Sequence, residues 1–140
     1  MSERRELPSW ITDHMKKYLE TDGREGHMWN GVPTLLITTT GRKSKKAQMI
    51  PLIYGKDGAR YVIVASRGGA DQHPAWYLNL AANPSVKLQV GAEKFAARAH
   101  TANAQEKKKL WPIMTKIWPA YDEYQTKTKR DIPVVVLERA

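Results

Sequence analysis

A chain of 140 residues with 23 Lys and Arg against 14 Asp and Glu carries a formal charge of +9. Its surface therefore draws anions, whether nucleic acid, anionic lipid or a multiply charged small molecule. The absence of cysteine excludes disulfides, thiolate nucleophiles, zinc–thiolate sites and iron–sulfur clusters. The length suits one domain that buries a core unaided, and a 41% hydrophobic content with five tryptophans argues for a packed globule. No apolar run reaches the about 18 residues of a membrane span, and the N-terminus lacks a secretory signal. A soluble, cytoplasmic protein is expected.

From Ser9 to Leu19, the residues Trp10, Ile11, His14, Met15, Tyr18 and Leu19 recur at helical spacing and predict an amphipathic first helix. Glu20 to Gly31, ETDGREGHMWNG, has no period and reads as a loop. Residues 1–32 thus form an N-terminal helix and loop, and residues 33–140 the main domain. PTLLITTT, AQMIPLIYG and ARYVIVAS predict three strands. Asp57-Gly58 between the second and third signals a tight hairpin with both turn residues at positive φ, making those strands antiparallel neighbours. Pro74 opens a short helix that Pro84 follows. SVKLQVG and KFAARAHTA predict a second hairpin turning near Gly91 to Glu93. Asn103 and Glu106 form a capping pair for a helix that Pro112 should interrupt or restart, and DIPVVVLER closes the chain as a strand. This order predicts an α+β protein, a mainly antiparallel sheet curled into a small barrel with flanking helices.

The four histidines are scattered, with no HxH or HExxH spacing for a metal. There is no G-x-S-x-G elbow, no GxGxxG and no Walker A loop. Nucleic acid is a poor fit, because no RNP-like motif is present and the aromatics are not interleaved with the lysine cluster. Four stretches remain: the basic turn TTTGRKSKK, SRGG at Ser66 to Gly69, HPAWYLN at His73 to Asn79, and WPAYDEY at Trp118 to Tyr124.

Together, TTTGRKS, ASRGGADQHPAWYLNLAANP and YDEYQTKTKRDIPVVVLER resemble the deazaflavin-dependent nitroreductase family, over roughly Pro33 to Arg139. The resemblance implies a split β-barrel of the FMN-binding type and, as cofactor, coenzyme F-420, an 8-hydroxy-5-deazaflavin. It implies hydride transfer from the reduced coenzyme to an electron-poor acceptor: an unsaturated lactone or enone, a quinone, or a nitroaromatic. A flavin- or haem-binding split barrel without this activity is the alternative of the same fold.

The same resemblance assigns roles to residues. Arg42, Lys43 and Ser44 clamp the phosphodiester and polyglutamate of the coenzyme, with Lys45 and Lys46 adding field; a plain solvated connection is the other reading of such a turn. Gln48, Met49, Ile50, Pro51, Leu52 and Ile53 belong to the strand that lines the ring. Val64, Ala65, Ser66, Arg67, Gly68 and Gly69 form the loop against the ring and its phosphate side, although Gly69 alone equally suits a strand-to-helix turn. Ala75, Trp76, Tyr77, Leu78 and Asn79 lie on the short helix, with Trp76 and Asn79 facing the ligand, while Leu78 and Leu80 read as core. Tyr121 and Tyr124 share a helical face over the open side of the coenzyme and are the catalytic candidates, able to donate a proton or hydrogen bond; bridging helix to barrel is their structural alternative. No metal is implied.

Three positions depart from the pattern of the family's best-known nitroreducing member. Gln48 stands in place of an arginine, and Ile53 and Trp118 in place of tyrosines. These changes touch the acceptor pocket more than the anion clamp, and favour planar unsaturated carbonyl compounds over a nitroimidazole. The expected partners are a small-molecule acceptor and a second copy in a homodimer. The first helix is expected to cover the barrel or reach over the substrate mouth, with peripheral membrane contact as the other reading, since Trp10, Ile11, Met15 and Tyr18 lie beside Lys16 and Lys17; both hold together if the acceptor is a lipid quinone.

Overall fold

The computed structural model describes residues 9–140. Helix α1 (Ser9–Glu20) presents Ile11, His14, Met15 and Tyr18 inward, the i, i+3, i+4, i+7 stripe. Trp10 and Leu19, expected on the same side, are 56% and 42% exposed, because they sit at the margins of that stripe. The following loop contains a two-residue strand, β1 (Met28–Trp29), paired with the start of β2 (Val32–Thr40). Two residues are too few for any alternation to show in sequence.

The remaining strands are β3 (Ala47–Ile53), β4 (Gly55–Asp57), β5 (Arg60–Val64), β6 (Ser85–Val90), β7 (Glu93–Thr101) and β8 (Val134–Arg139). Every pairing is antiparallel. The ladder runs β2-β6-β7-β8-β5-β4, with β3 on the other side of β2. The two ends of this ladder, β3 and β4, are separated in the chain by Tyr54 alone. The sheet therefore has to curl until its edges meet, which makes the half-barrel.

That break corrects the expected hairpin. Residues Ala47–Ile53 pair along their whole length with β2, from Thr40↔Ala47 to Thr34↔Ile53, and only Gly55–Asp57 pair with β5. Pro51, lacking an N–H, suits such an edge strand. Asp57 is still in the ladder opposite Arg60, whose guanidinium binds its carboxylate. The turn itself is Gly58-Ala59, and within Asp57-Gly58 only Gly58 takes positive φ, at 62°.

Helix α2 (Ala75–Ala82) starts after Pro74 and ends at Asn83. The second hairpin turns through Gly91-Ala92, with Val90 opposite Glu93. Helix α3 (Ala104–Ile117) opens with the expected reciprocal capping of Asn103 and Glu106, yet it runs unbroken through Pro112. Pro112 and Lys108 one turn earlier are both exposed, so water can take the hydrogen bond that the proline cannot make. A separate helix α4 (Ala120–Thr126) follows Pro119.

Two cores result. Inside the barrel, Leu35, Ile37, Tyr61, Ile63, Val135 and Leu137 pack with Trp76 and Leu80 of α2. Outside it, Val62, Val64, Val134 and Val136 pack against Leu110 and Met114 of α3 and Tyr121 of α4. Strands β5 and β8 are buried on both faces, which is why they read as unbroken apolar runs. Leu78, expected in the core, is 36% exposed on the outer side of α2.

Helix α1 is tied to the barrel by Tyr18, which is fully buried. Its hydroxyl accepts from the Gly91 N–H at 2.8 Å and donates to the Thr34 carbonyl at 3.0 Å. Removing the hydroxyl leaves a backbone donor and acceptor unmatched in a dry setting, which costs about 1–3 kcal/mol. Tyr18→Phe should lower the denaturant midpoint accordingly with little change in slope; an unchanged midpoint would remove this staple from the fold.

Candidate functional site

A cleft of about 1440 Å³ opens along β3, and the residues Gln48 to Ile53 form its floor. With no further strand outside it at this edge, β3 keeps all seven side chains partly or fully accessible. Val64, Ser66, Arg67, Gly68, Ala75 and Trp76 line it further, with Tyr121 and Tyr124 of α4 beside the turn at Arg67 to Gly69. The mouth lies between the N-terminal half of α1, Trp29 of β1 and Trp118.

The turn after β5 is strained. Arg67, Gly68 and Gly69 have φ of 45°, 63° and 86°, a left-handed run costly for the arginine. The two glycines serve different ends. A Cβ on Gly68 would meet nothing within 4 Å, so its backbone is uncovered and open to close approach. A Cβ on Gly69 would lie 2.8 Å from the Tyr124 carbonyl oxygen, so this glycine packs the turn against α4.

Asn79, expected to face a ligand, is 1% exposed. Its Oδ1 accepts from the Arg42 N–H at 3.1 Å and from the Arg42 guanidinium at 3.0 Å, and its Nδ2 donates to the Gln48 Oε1 at 3.3 Å. It braces the basic turn to the cleft floor. The turn is closed by Gly41 N–H to the Lys46 carbonyl at 2.8 Å. Arg42, Lys43 and Ser44 stand just beyond the floor, where Ala47 and Gln48 begin the lining. Ala65 is fully buried, and Tyr77 bonds Thr101 Oγ1 at 2.9 Å on the far side of α2. Ala65, Gly69, Tyr77 and Leu78 lie off the cleft lining.

With its oxygen engaged by Asn79, the Gln48 amide has a fixed orientation. Its Nε2 is buried and lacks a hydrogen-bond partner, at a cost of about 1–3 kcal/mol unless a ligand supplies an acceptor. An orphaned donor in an apolar floor, beside an uncovered glycine and within reach of a basic turn, fits a planar, polar-edged, anionic molecule such as a deazaflavin coenzyme. Among the described residues no cluster of His, Asp and Glu could hold a metal ion.

The tyrosines meet edge to face at 6.1 Å. Burial first, and the neighbouring Tyr124 second, push the Tyr121 phenol above its ordinary value of 10.0, so it keeps its proton at any physiological pH. Tyr124 accepts from the Trp118 indole N–H at 3.4 Å. Trp118 in turn lies 5.7 Å from Trp29, and Trp29 stacks on Trp10 at 6.0 Å. Trp29 was not legible as a site residue, since it comes from an aperiodic loop, whereas Trp10 belongs to the first helix, which was expected to cover the barrel or reach over the mouth.

Arg130 was also missed. Its guanidinium donates to the carbonyls of Ala65 at 3.2 Å, Ser66 at 2.9 Å and Ala70 at 2.7 Å, and to His73 Nδ1 at 3.1 Å. His73 is thereby held neutral with its proton on Nε2; burial, then the Arg130 charge, lowers its pKa. In sequence Arg130 is one cation among the lysines of TKTKR, and nothing local marks it.

The family described as F420H(2)-dependent quinone reductase matches residues 10–139. An F420H(2)-dependent quinone reductase of Mycobacterium tuberculosis strain H37Rv is 42% identical over 130 residues, 90% of this chain and 87% of that protein. A solved F420-H2 dependent reductase, FDR-A, superposes with a TM-score of 0.71 at 41% identity, covering 76% of this chain and 94% of its own. A second solved chain, described as a domain-swapped dimer, gives 0.74 at 37% identity, covering 93% and 98%. These matches displace the flavin- or haem-binding alternative, and the half-barrel described above belongs with the split-barrel reductases. The chain is a member of the F420H(2)-dependent quinone reductase family, and hence an F-420-dependent oxidoreductase.

Proposed function

We propose that the cleft holds reduced coenzyme F-420 along β3 and passes hydride from it to a quinone seated against Tyr121 and Tyr124. The observation that carries this reading is the Arg42–Asn79–Gln48 chain of hydrogen bonds, which couples a cationic turn to an orphaned donor on the cleft floor. When bound, the coenzyme supplies the hydride and the low potential. Arg42, Lys43 and Ser44 hold its acidic side chain through charge-assisted contacts. Gln48 Nε2 meets an acceptor on the ring, Ile50 to Ile53 give a flat apolar floor, and Gly68 lets the backbone come close. The Tyr121 hydroxyl keeps a proton at the acceptor oxygen as charge develops there. Trp118 and Trp29 cover the mouth and exclude water.

A quinone suits this mouth because aromatic faces accept planar conjugated rings. Enones, unsaturated lactones and nitroaromatics are secondary acceptors in the same reading. Lipid-borne quinones require access to a membrane surface. Trp10, Leu19 and Met28 are 56%, 42% and 57% exposed, and Lys16 and Lys17 lie on the same helix as two of them, which favours peripheral contact with anionic lipid. No helix among the described residues is long and apolar enough to cross a membrane. We place the protein in the cytoplasm, as a homodimer; the domain-swapped dimer of a similar chain supports the latter, and sedimentation velocity tests it.

Arg42→Ala with Lys43→Ala should weaken coenzyme binding by about 2–4 kcal/mol, read by fluorescence titration, while the unfolding midpoint holds. Unchanged affinity would take these residues out of the clamp. Tyr121→Phe should cut quinone turnover by about tenfold or more with coenzyme affinity within a factor of about two. Equal turnover would reduce Tyr121 to packing between α4 and the barrel. Trp10→Ser with Leu19→Ser should abolish co-sedimentation with vesicles of anionic phospholipid; parent protein that stays in the supernatant would end the membrane reading.

A further inference from the structure

We infer that Arg130 is a positioning residue for the coenzyme, holding the turn Ser66 to Gly69 in the one conformation that presents Gly68 and Arg67 to the cleft. This rests on the reading of the cleft as the coenzyme site. Four acceptors converge on one guanidinium: three carbonyls that bracket the turn, and His73 at the entry to α2. A planar fork with five donors can serve all four together, whereas an ammonium on a flexible stem cannot.

The turn needs such a clamp. Three successive left-handed residues, the first of them an arginine, would relax if the flanking carbonyls of Ala65, Ser66 and Ala70 were released. Gly69 is packed against α4 by its contact with Tyr124, and Arg130 holds both ends of the turn, through the Ala65 and Ser66 carbonyls at its start and the Ala70 carbonyl just past its end. Charge points the same way. Burial lowers the Arg130 pKa first and the nearby Arg67 cation adds to this, with only Asp71 opposing. Two like charges flank the turn, and a bound anion between Arg67 and the Gly68 amide relieves their repulsion. Arg130 itself does not line the cleft, so it acts through the backbone it holds.

The test titrates oxidised coenzyme F-420 into the full-length parent, Arg130→Met and Arg130→Lys, with thermal midpoints recorded alongside. The Met variant should lose affinity by about 10- to 100-fold and the Lys variant nearly as much, while turnover at saturating coenzyme falls by less than about threefold. Millimolar guanidinium should restore part of the affinity of the Met variant and none of that of the Lys variant, whose ammonium fills the space. Affinity within twofold of the parent, or a loss that guanidinium leaves untouched and that merely follows the midpoint, overturns the proposal. Should the Met variant not fold, His73→Phe removes one of the four acceptors and should raise the Kd by about 3- to 10-fold; no change overturns it. A parent that binds no coenzyme overturns the cleft reading, and the proposal with it, whereas a binding parent with equally binding variants overturns the proposal alone.

Discussion

Strands β3 and β4 lie at opposite ends of the sheet and are joined by a single residue, Tyr54. No flat sheet can satisfy that connection, so curling follows from covalent continuity and not from side-chain taste. The junction is secured where it has to be. Tyr54 donates its N–H to the Pro33 carbonyl at 3.2 Å, and its hydroxyl bonds His27 Nε2 at 2.8 Å. Burial, then the neighbouring phenols of Tyr18 and Tyr61, push its pKa up to about 12, so the hydroxyl stays neutral and the contact persists. Because β3 is an edge of the ladder, one long apolar strand is left uncovered, and the cleft is the space over it.

The charged turn gains its position from the same strand. A loop between two strands is ordinarily mobile and solvated. Here the buried amide of Asn79, delivered by α2 from inside the barrel, accepts twice from Arg42 and passes its own N–H to Gln48. The basic turn and the cleft floor are thus mechanically one piece. Arg130 performs the corresponding task for the turn of Ser66 to Gly69. Both clamps are buried or half-buried polar groups with several partners each, the arrangement in which low dielectric strengthens a hydrogen bond and penalises its loss.

Much of this was legible in the sequence, for identifiable reasons. Apolar runs of β-branched residues located β2, β3, β5 and β8, and the Asn103–Glu106 pair located the start of α3, because these signals are local. What failed was nonlocal. That AQMIPLIYG splits at Tyr54 depends on two different partner strands, and β1 exists only because β2 is beside it. Pro112 was overruled by an exposed helix face that forgives a missing bond. Among site residues, the floor from Gln48 to Ile53, the turn at Ser66 to Gly68, Trp76 and both tyrosines came together around one cleft. Asn79 shares its helical face with Trp76 but lies buried behind the lining, since in an eight-residue helix that is apolar nearly throughout no stripe tells a ligand-facing residue from one that braces the site. Arg130 and Trp29 carry no local signature at all.

The two ends of the cleft differ in the kind of force they offer. At the coenzyme end the groups are directional and fixed: an amide oriented by Asn79, an arginine held by the same residue, and a backbone turn pinned by three hydrogen bonds from Arg130. Such groups discriminate sharply, because a wrong ligand leaves them buried and unpaired. At the mouth, Trp10, Trp29 and Trp118 offer aromatic faces whose attraction depends on area and little on atom identity. On the proposed function, this division makes the protein strict toward its coenzyme and lenient toward its acceptor.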